Sequence, residues 1–174
     1  MMVWLPVAIL GFVTLQRVAE LVHSRRNTAR LLAKGAYEAA PGHYPYLVAL
    51  HASWLAGLWW LAPGRPIAWF WLALFAAAQA LRVWVLATLG PRWTTRIIVL
   101  RNAPLISSGP FRFLRHPNYT IVCIEIATLP LAFGLPGYAL AFSILNAIIL
   151  SVRIGAENAA LASSQPPRLL HRPT

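Results

Sequence analysis

Five long apolar stretches fill most of this chain, and their lengths limit the folds that it can adopt. A helix that crosses a bilayer needs about 20 apolar residues, within a range of about 17–25. Because 59% of the 174 residues are hydrophobic and only 11% are charged, a soluble fold could not bury the apolar surface. We therefore predict an all-α integral membrane protein with about five transmembrane helices, forming a single domain over residues 1–174. The stretches cover about residues 3–22, 44–62, 67–89, 118–133 and 138–154.

The connections between these stretches are of two kinds. Residues 63–66 and 134–137 are short and rich in Pro and Gly, which predicts antiparallel hairpins of helices two with three and four with five. The other two connections are long. In the second of them, a β-prone run at residues 93–100 is followed by turn-like residues up to residue 108. We expect a short β-hairpin-like loop there, over the cytoplasmic membrane face, and a disordered tail at about residues 163–174.

The basic residues are distributed unevenly along the chain. Arg65 alone occupies a short turn, whereas the long connections and the C-terminal part carry many basic residues. Cytoplasmic loops of membrane proteins carry the excess of Lys and Arg, so we predict the N-terminus outside and the C-terminus in the cytoplasm. The net charge of +11 would suggest nucleic acid for a soluble protein. Here the basic residues lie between apolar stretches, which predicts contacts with membrane lipids and no nucleic-acid partner. They are Arg25, Arg26, Arg30, Lys34, Arg92, Arg96, Arg101, Arg112, Arg115, Arg153, Arg168 and Arg172.

Ionisable residues occur inside two of the apolar stretches at matching depth. A charge at the centre of a bilayer costs at least about 2.5–3.5 kcal/mol, so such residues face a partner or a polar cavity. Arg82 lies seven residues before the end of helix three, and Glu125 lies seven residues after the start of helix four. At about 1.5 Å per residue, both are roughly 10 Å below the same surface. We predict an Arg82–Glu125 pair, which either only joins two helices or lines a substrate site. Arg17 and Glu20 are expected to pair along helix one.

The segment Gly109-Pro-Phe-Arg-Phe-Leu-Arg-His-Pro-Asn-Tyr119 leads from a basic loop directly into helix four. Pro117 suits a helix start, because the N–H that it lacks is not needed there. The free N–H groups of a helix start can bind a carboxylate or another oxyanion. His116 and Tyr119 add polar groups at the same place. The residues alone therefore predict a polar site at the membrane surface.

This segment also carries a family resemblance. Leu114-Arg-His-Pro-Asn-Tyr119, preceded by Gly109-Pro110, resembles the core motif of the isoprenylcysteine carboxyl methyltransferase family. Members are membrane enzymes that use S-adenosylmethionine. The resemblance covers about residues 89–161, and it implies a cofactor pocket at the cytoplasmic side, formed by this motif and the C-terminal part of the chain.

Three other stretches look like one branch of that family. Residues 16–21, 43–46 and 93–100 are similar to the bacterial branch that accompanies type III polyketide synthases. That branch methylates alkylpyrones or alkylresorcinols, the phenolic lipids. The resemblance implies a bacterial inner-membrane enzyme, a lipophilic small-molecule substrate that enters from the bilayer, and a functional link to a type III polyketide synthase.

The resemblance further suggests which residues bind the cofactor. The family has an Arg followed by paired Glu residues, and here Arg153 and Glu157 are kept while Asn158 replaces the second Glu. The predicted cofactor-binding residues are His116, Pro117, Asn118, Tyr119, Arg153 and Glu157.

Catalytic and substrate-binding roles combine this resemblance with the chemistry of methyl transfer and with the charges inside the apolar stretches. Arg115 or Arg96 would hold the substrate oxyanion, and His116 or Glu157 would act as the base for a weakly acidic phenol. The predicted catalytic residues are thus Arg115, His116 and Glu157, and the predicted substrate-binding residues are Arg82, Arg96 and Glu125.

Other functions are compatible with parts of the sequence. A related enzyme would methylate the carboxylate of prenylated cysteine or of another lipid acid. A membrane reductase that uses NADPH would have a similar helical layout, but no Gly-rich dinucleotide motif is present. A non-enzymatic structural or transport protein would lack the polar cluster on the cytoplasmic side. The single Cys123 leaves no multi-cysteine metal site, and no metal is predicted.

Overall fold

A computed structural model describes residues 4–101 and 103–164, which form five α-helices and a two-stranded antiparallel sheet. The all-α prediction with a small β element is confirmed. The strands are β1, Tyr37–Glu38, and β2, Ile98–Val99. The helices are α1, Trp4–Ala33; α2, Tyr44–Leu61; α3, Trp69–Leu89; α4, Pro117–Ala132; and α5, Pro136–Ser164.

Three helices among the described residues are long and apolar enough to cross a membrane, namely Trp4–Ala33, Trp69–Arg92 and Pro136–Ser164. The other two are shorter, with 18 residues in α2 and 16 in α4. Helix α4 packs between α3 and α5, and most of its residues are buried. Its sides therefore mostly face protein, although its 16 residues are slightly fewer than the range of about 17–25 for a spanning helix.

Helix α1 extends eleven residues past its predicted end because its last turns contact a loop. Ser24 Oγ accepts a hydrogen bond from the backbone N–H of Thr95 at 2.8 Å. Asn27 Nδ2 donates to the carbonyl oxygen of Trp93 at 2.9 Å. Helix α5 also continues further than predicted, so Ser163 and Ser164 are helical where a disordered tail was expected to begin. Residues 165–174 of that predicted tail lie outside the described residues.

The β element has a different partner from the one expected. Strand β2 lies within the β-prone run, but it does not pair with the residues that follow it. It pairs with β1, placing Tyr37 opposite Val99 and Glu38 opposite Ile98. Val99 is buried against Ala160 of α5, and this packing draws the loop after α1 onto the loop after α3. The two long connections, residues 34–43 and 90–116, therefore meet at one end of the bundle, which we call the loop end.

Of the two predicted helical hairpins, the structure shows one. Helices α4 and α5 pack together after a turn in which Gly134 has φ 66°, a conformation that favours glycine. Helix α2 instead packs on α5 and α1, while α3 packs on α4. The N–H of Ala68 donates to the carbonyl oxygen of Ala132 at 2.8 Å, which ties the start of α3 to the end of α4. The predicted close hairpin of helices two and three is therefore wrong.

Buried ion pairs join α1, α3 and α4. Arg82 Nε donates to Glu125 Oε1 at 2.7 Å, and Arg82 also binds the second carboxylate oxygen of Glu125. Arg17 donates to Glu20 and to Glu125, each at 2.8 Å. The two predicted pairs are confirmed, and the structure joins them into one network because Arg17 bridges both carboxylates.

Two amides complete this network. Gln79 donates to Glu125 Oε1 at 2.8 Å and accepts a hydrogen bond from Gln16 at 2.7 Å. Arg82 and Glu125 are each 3% exposed. Such burial is tolerated only because every charge has an opposite partner. We call this group the charge cluster: Gln16, Arg17, Glu20, Gln79, Arg82 and Glu125.

Removing one member of the charge cluster is expected to destabilise the fold strongly. Glu125→Leu leaves Arg82 buried with a weaker partner, Glu20 at 3.3 Å, and breaking such a pair costs about 3–5 kcal/mol. The double variant Arg82→Met/Glu125→Leu keeps a balanced Arg17–Glu20 pair and should recover most of the loss. Thermal unfolding of the purified protein in detergent measures both effects. Equal destabilisation by the single and the double variant would contradict this account.

Candidate active site at the loop end

Two cavities adjoin beneath the loop end. The large cavity, of about 290 Å³, lies mainly between α1 and α2 and has a mostly apolar lining. The loop cavity, of about 160 Å³, is bounded by residues 89–99, residues 115–119 and the end of α5. Five residues line both cavities, so the two spaces share one wall: Trp93, Thr94, Asn118, Tyr119 and Arg153.

Close packing on α3 positions the segment that leads into α4. Gly109 has φ 57°, and a Cβ atom at this position would lie 2.6 Å from Thr88 Oγ1. Only glycine allows both the conformation and the close approach. The chain then reaches His116, whose carbonyl oxygen accepts the N–H groups of Tyr119 at 3.1 Å and Thr120 at 3.2 Å. The first turn of α4 is thereby held at the shared wall.

Arg153 is the central residue of that wall and is 5% exposed. Its Nε donates to the hydroxyl of Tyr119 at 2.9 Å, and this hydroxyl in turn donates to the carboxylate of Glu157. Its Nη2 donates to the carbonyl oxygen of Thr95 at 2.8 Å. Its Nη1 lies 3.2 Å from Nε2 of His43, which must accept because a guanidinium can only donate. The described hydrogen-bond partners of Arg153 are thus all neutral groups.

Two motif residues carry polar atoms without a protein partner. Nε2 of His116 and Oδ1 of Asn118 are buried and form no hydrogen bond with any residue that the structure describes. The His116 ring is stacked on Tyr119, with 5.5 Å between the ring centroids. Because buried polar atoms are almost always hydrogen-bonded, these two atoms are available to a ligand or to water in the loop cavity, which both residues line.

The structure brings most of the predicted site residues together and separates a few. The loop cavity is lined by Arg96, Arg115, His116, Pro117, Asn118, Tyr119, Arg153 and Glu157. Arg96 is already paired with Glu38 at 2.8 Å and is largely exposed. Arg82 lines the large cavity instead, and Glu125 lies behind it in the charge cluster.

The sequence alone did not reveal four residues of the two cavities. His43 and Thr95 hold Arg153, Trp93 contributes to the shared wall, and His51 lines the large cavity. His43, Trp93 and Thr95 lie in stretches that resemble the bacterial branch, but their side chains had no assigned role. His51 had a detectable signal, since a histidine inside an apolar helix is rare unless it faces a polar space.

Comparison with known proteins identifies the family. The model for the isoprenylcysteine carboxyl methyltransferase (ICMT) family matches residues 71–163, which is more than half of the chain. The chain belongs to this family. It is also 38% identical over 166 residues to the uncharacterized protein YpbQ of Bacillus subtilis (strain 168), covering 92% of this chain and 96% of that protein. No solved structure matches the chain.

Membership in the ICMT family supports a membrane methyltransferase that depends on S-adenosylmethionine. The matched region contains α4, α5 and the loop before α4, and thus the whole motif and the Arg153–Tyr119–Glu157 chain of hydrogen bonds. The donor set at the loop cavity suits this cofactor. The unpaired atoms of His116 and Asn118 can bind its polar groups, and Glu157 offers negative charge to a cationic one.

The contact between His43 and Arg153 predicts a pH dependence of stability. Burial, together with the positive charge of Arg153, lowers the pKa of His43 below its usual 6.5, although a hydrogen bond with the Ala40 backbone and the charge of Glu38 act in the opposite direction. The folded state therefore binds this proton more weakly than the unfolded chain. The contribution of neutral His43 to the stability of the folded state is therefore complete above about pH 6.5, and it is lost as the pH falls below that value.

We expect the thermal unfolding midpoint in detergent to decrease when the pH is lowered from about 7.5 to about 5.5. The decrease should be smaller in His43→Gln, which keeps a neutral hydrogen-bond acceptor. Arg25→Gln, at an exposed residue of α1 that lines neither cavity, serves as the control and should keep the wild-type slope. Identical slopes for His43→Gln and the wild type would refute the role of His43.

Proposed function

We propose that this protein transfers the methyl group of S-adenosylmethionine to an acidic hydroxyl of a lipid-like polyketide, an alkylpyrone or an alkylresorcinol. The observation that carries the proposal is the shared wall of the two cavities. A polar space formed by the family motif adjoins a mostly apolar space within the helices. A water-soluble donor and a lipid acceptor can therefore meet at Asn118, Tyr119 and Arg153.

The loop cavity is the proposed cofactor site. S-adenosylmethionine supplies a methyl group on a positively charged sulfur. His116 and Asn118 would bind its polar groups, while Glu157 would balance its positive charge. Because this cavity is smaller than the usual ligand pocket of about 300–1,000 Å³, we infer that the cofactor extends across the shared wall. There it would contact Tyr119 and Arg153.

Arg153 is the proposed holder of the substrate oxyanion. It is buried, its described hydrogen-bond partners are neutral, and they engage three of its five N–H groups. It also faces both cavities. Arg96 and Arg115 are less suitable because neither lines the large cavity, and Arg96 is already neutralised by Glu38.

An acidic acceptor suits this site, which has few side chains that could act as a general base. The hydroxyl of a 4-hydroxy-2-pyrone is a vinylogous acid and is largely anionic near neutral pH. Such an acceptor needs positioning and exclusion of water, which can contribute about 7–11 kcal/mol. A resorcinol is less acidic, and His116 or Glu157 would then accept its proton.

The acyl tail would reach the site from the bilayer between α1 and α2. Four apolar residues of α1 and α2 that line the large cavity are exposed, which supports an opening between these helices: Val18, Leu21, Val48 and Ala52. With the loop end in the cytoplasm of a bacterial inner membrane, as the basic residues suggest, the cofactor would arrive from water. A type III polyketide synthase is the proposed source of the acceptor.

Methyl transfer can be measured with the purified protein in lipid nanodiscs and S-adenosylmethionine labelled on the methyl group. We expect label in an alkylpyrone or an alkylresorcinol. If label appears only in a prenylated cysteine, the acceptor is a carboxylic acid and not a hydroxyl group; Arg153 could also bind that carboxylate. Absence of both cofactor binding and transfer would refute the proposal.

Arg153→Met should lower kcat/KM by at least about 100-fold, as for the removal of a group that stabilises an oxyanion. Arg153→Lys keeps the charge and should lose less. Arg112→Met is the matched control, because Arg112 is exposed and lines neither cavity. Wild-type kcat/KM in a folded Arg153→Met protein would contradict the role.

A further inference from the structure

His51 of α2 lines the large cavity, and the proposed mechanism does not use it. Its Nδ1 lies 2.8 Å from the carbonyl oxygen of Leu47. A carbonyl oxygen can only accept, so Nδ1 must carry a proton and donate it. In the neutral ring, Nε2 then has a free lone pair, and no described residue binds that atom.

The charged groups near His51 balance one another. Arg17, Arg82 and Glu20 line the same cavity, and the two guanidiniums are paired with Glu20 and Glu125. Thr14 Oγ1 donates to Leu10 at 2.7 Å and accepts from Trp59 at 3.0 Å. This end of the cavity therefore has no excess charge to bind an anion. It offers a neutral hydrogen-bond acceptor between apolar side chains and the balanced charge cluster.

His51 is separated from the proposed oxyanion site along the cavity. It lies seven residues, or about 10 Å of helix, beyond Tyr44. Tyr44 is at the level of the shared wall, because its hydroxyl is 3.1 Å from Thr95 Oγ1 and Arg153 binds the Thr95 carbonyl oxygen. The large cavity thus has a cationic end at Arg153 and a neutral accepting end at His51.

We propose that the His51 end is a subsite for a hydroxyl group of the acceptor lipid, which donates its hydrogen bond to Nε2. The subsite rests on the proposed function and narrows its acceptor to lipids with two hydroxyl groups, such as an alkylresorcinol, because a 4-hydroxy-2-pyrone has no second O–H to donate to Nε2. One oxygen is ionised at Arg153 and methylated, and the other is a neutral hydroxyl at His51. A lipid with a single polar group leaves Nε2 unpaired in an apolar site and binds more weakly.

Binding without cofactor tests the subsite apart from methyl transfer. The probes are an alkylresorcinol and the alkylphenol of the same chain length, which lacks the second hydroxyl. Quenching of tryptophan fluorescence in nanodiscs gives both dissociation constants. We expect the wild type to bind the resorcinol about 10-fold more tightly, which corresponds to about 1.4 kcal/mol.

His51→Leu should remove this preference by weakening only the resorcinol, and His51→Gln should restore part of it because the amide oxygen can accept. The control is Ala49→Leu, which places the same side chain on an exposed residue of α2 that lines neither cavity. It should behave like the wild type.

Equal binding of the two lipids by the wild type, binding of neither, or an unchanged preference in His51→Leu overturns the subsite. Methyl transfer is measured separately. A preference that depends on His51 without any methyl transfer would refute the proposed function and leave the subsite in place. Methyl transfer without the preference would refute the subsite alone.

Discussion

The arrangement of the loop end depends on the hydrogen bonds of one buried guanidinium. Arg153 joins α5 to the first turn of α4 through Tyr119, to the loop before β2 through Thr95, and to the loop before α2 through His43. An arginine suits this role because its five donors are held in a rigid plane and can bind several segments at once. Loss of any one segment would leave a buried donor unsatisfied, so the segments are held together cooperatively.

Charges deeper in the bundle obey a stricter rule than those at the loop end. In the charge cluster each guanidinium meets a carboxylate and each amide is hydrogen-bonded, as expected where water cannot compensate. Near the shared wall the rule is relaxed. Arg153 has only neutral described partners, and His116 and Asn118 retain unpaired atoms. The contrast indicates that the charges of the deep cluster are balanced within the protein, whereas the positive charge of Arg153 at the wall is free to meet an anionic ligand.

Features that depend on the depth of a residue along its helix could be predicted from the sequence, and features that depend on how the loops and helices pack could not. The Arg82–Glu125 pair followed from the constant rise of a helix and from the cost of burying an unpaired charge. The partner of β2 did not, because residues 37 and 99 meet only through the packing of Val99 on α5. The same limit applies to α2, whose neighbours are decided by the whole bundle.

The residues of the candidate site also fall into those that the sequence could predict and those that it could not. The motif at the start of α4 was visible because its residues are contiguous and match a family pattern. The neighbours of Arg153 were not, since Thr95 acts through its backbone carbonyl oxygen, a group that every residue carries. His51 shows the intermediate case. Its position inside an apolar helix marks it in the sequence, but the direction of its lone pair follows only from the contact of Nδ1 with the Leu47 carbonyl oxygen. Once the protein partner of Nδ1 is known, Nε2 remains as the acceptor, and the chemistry of the lipid that binds there can be inferred.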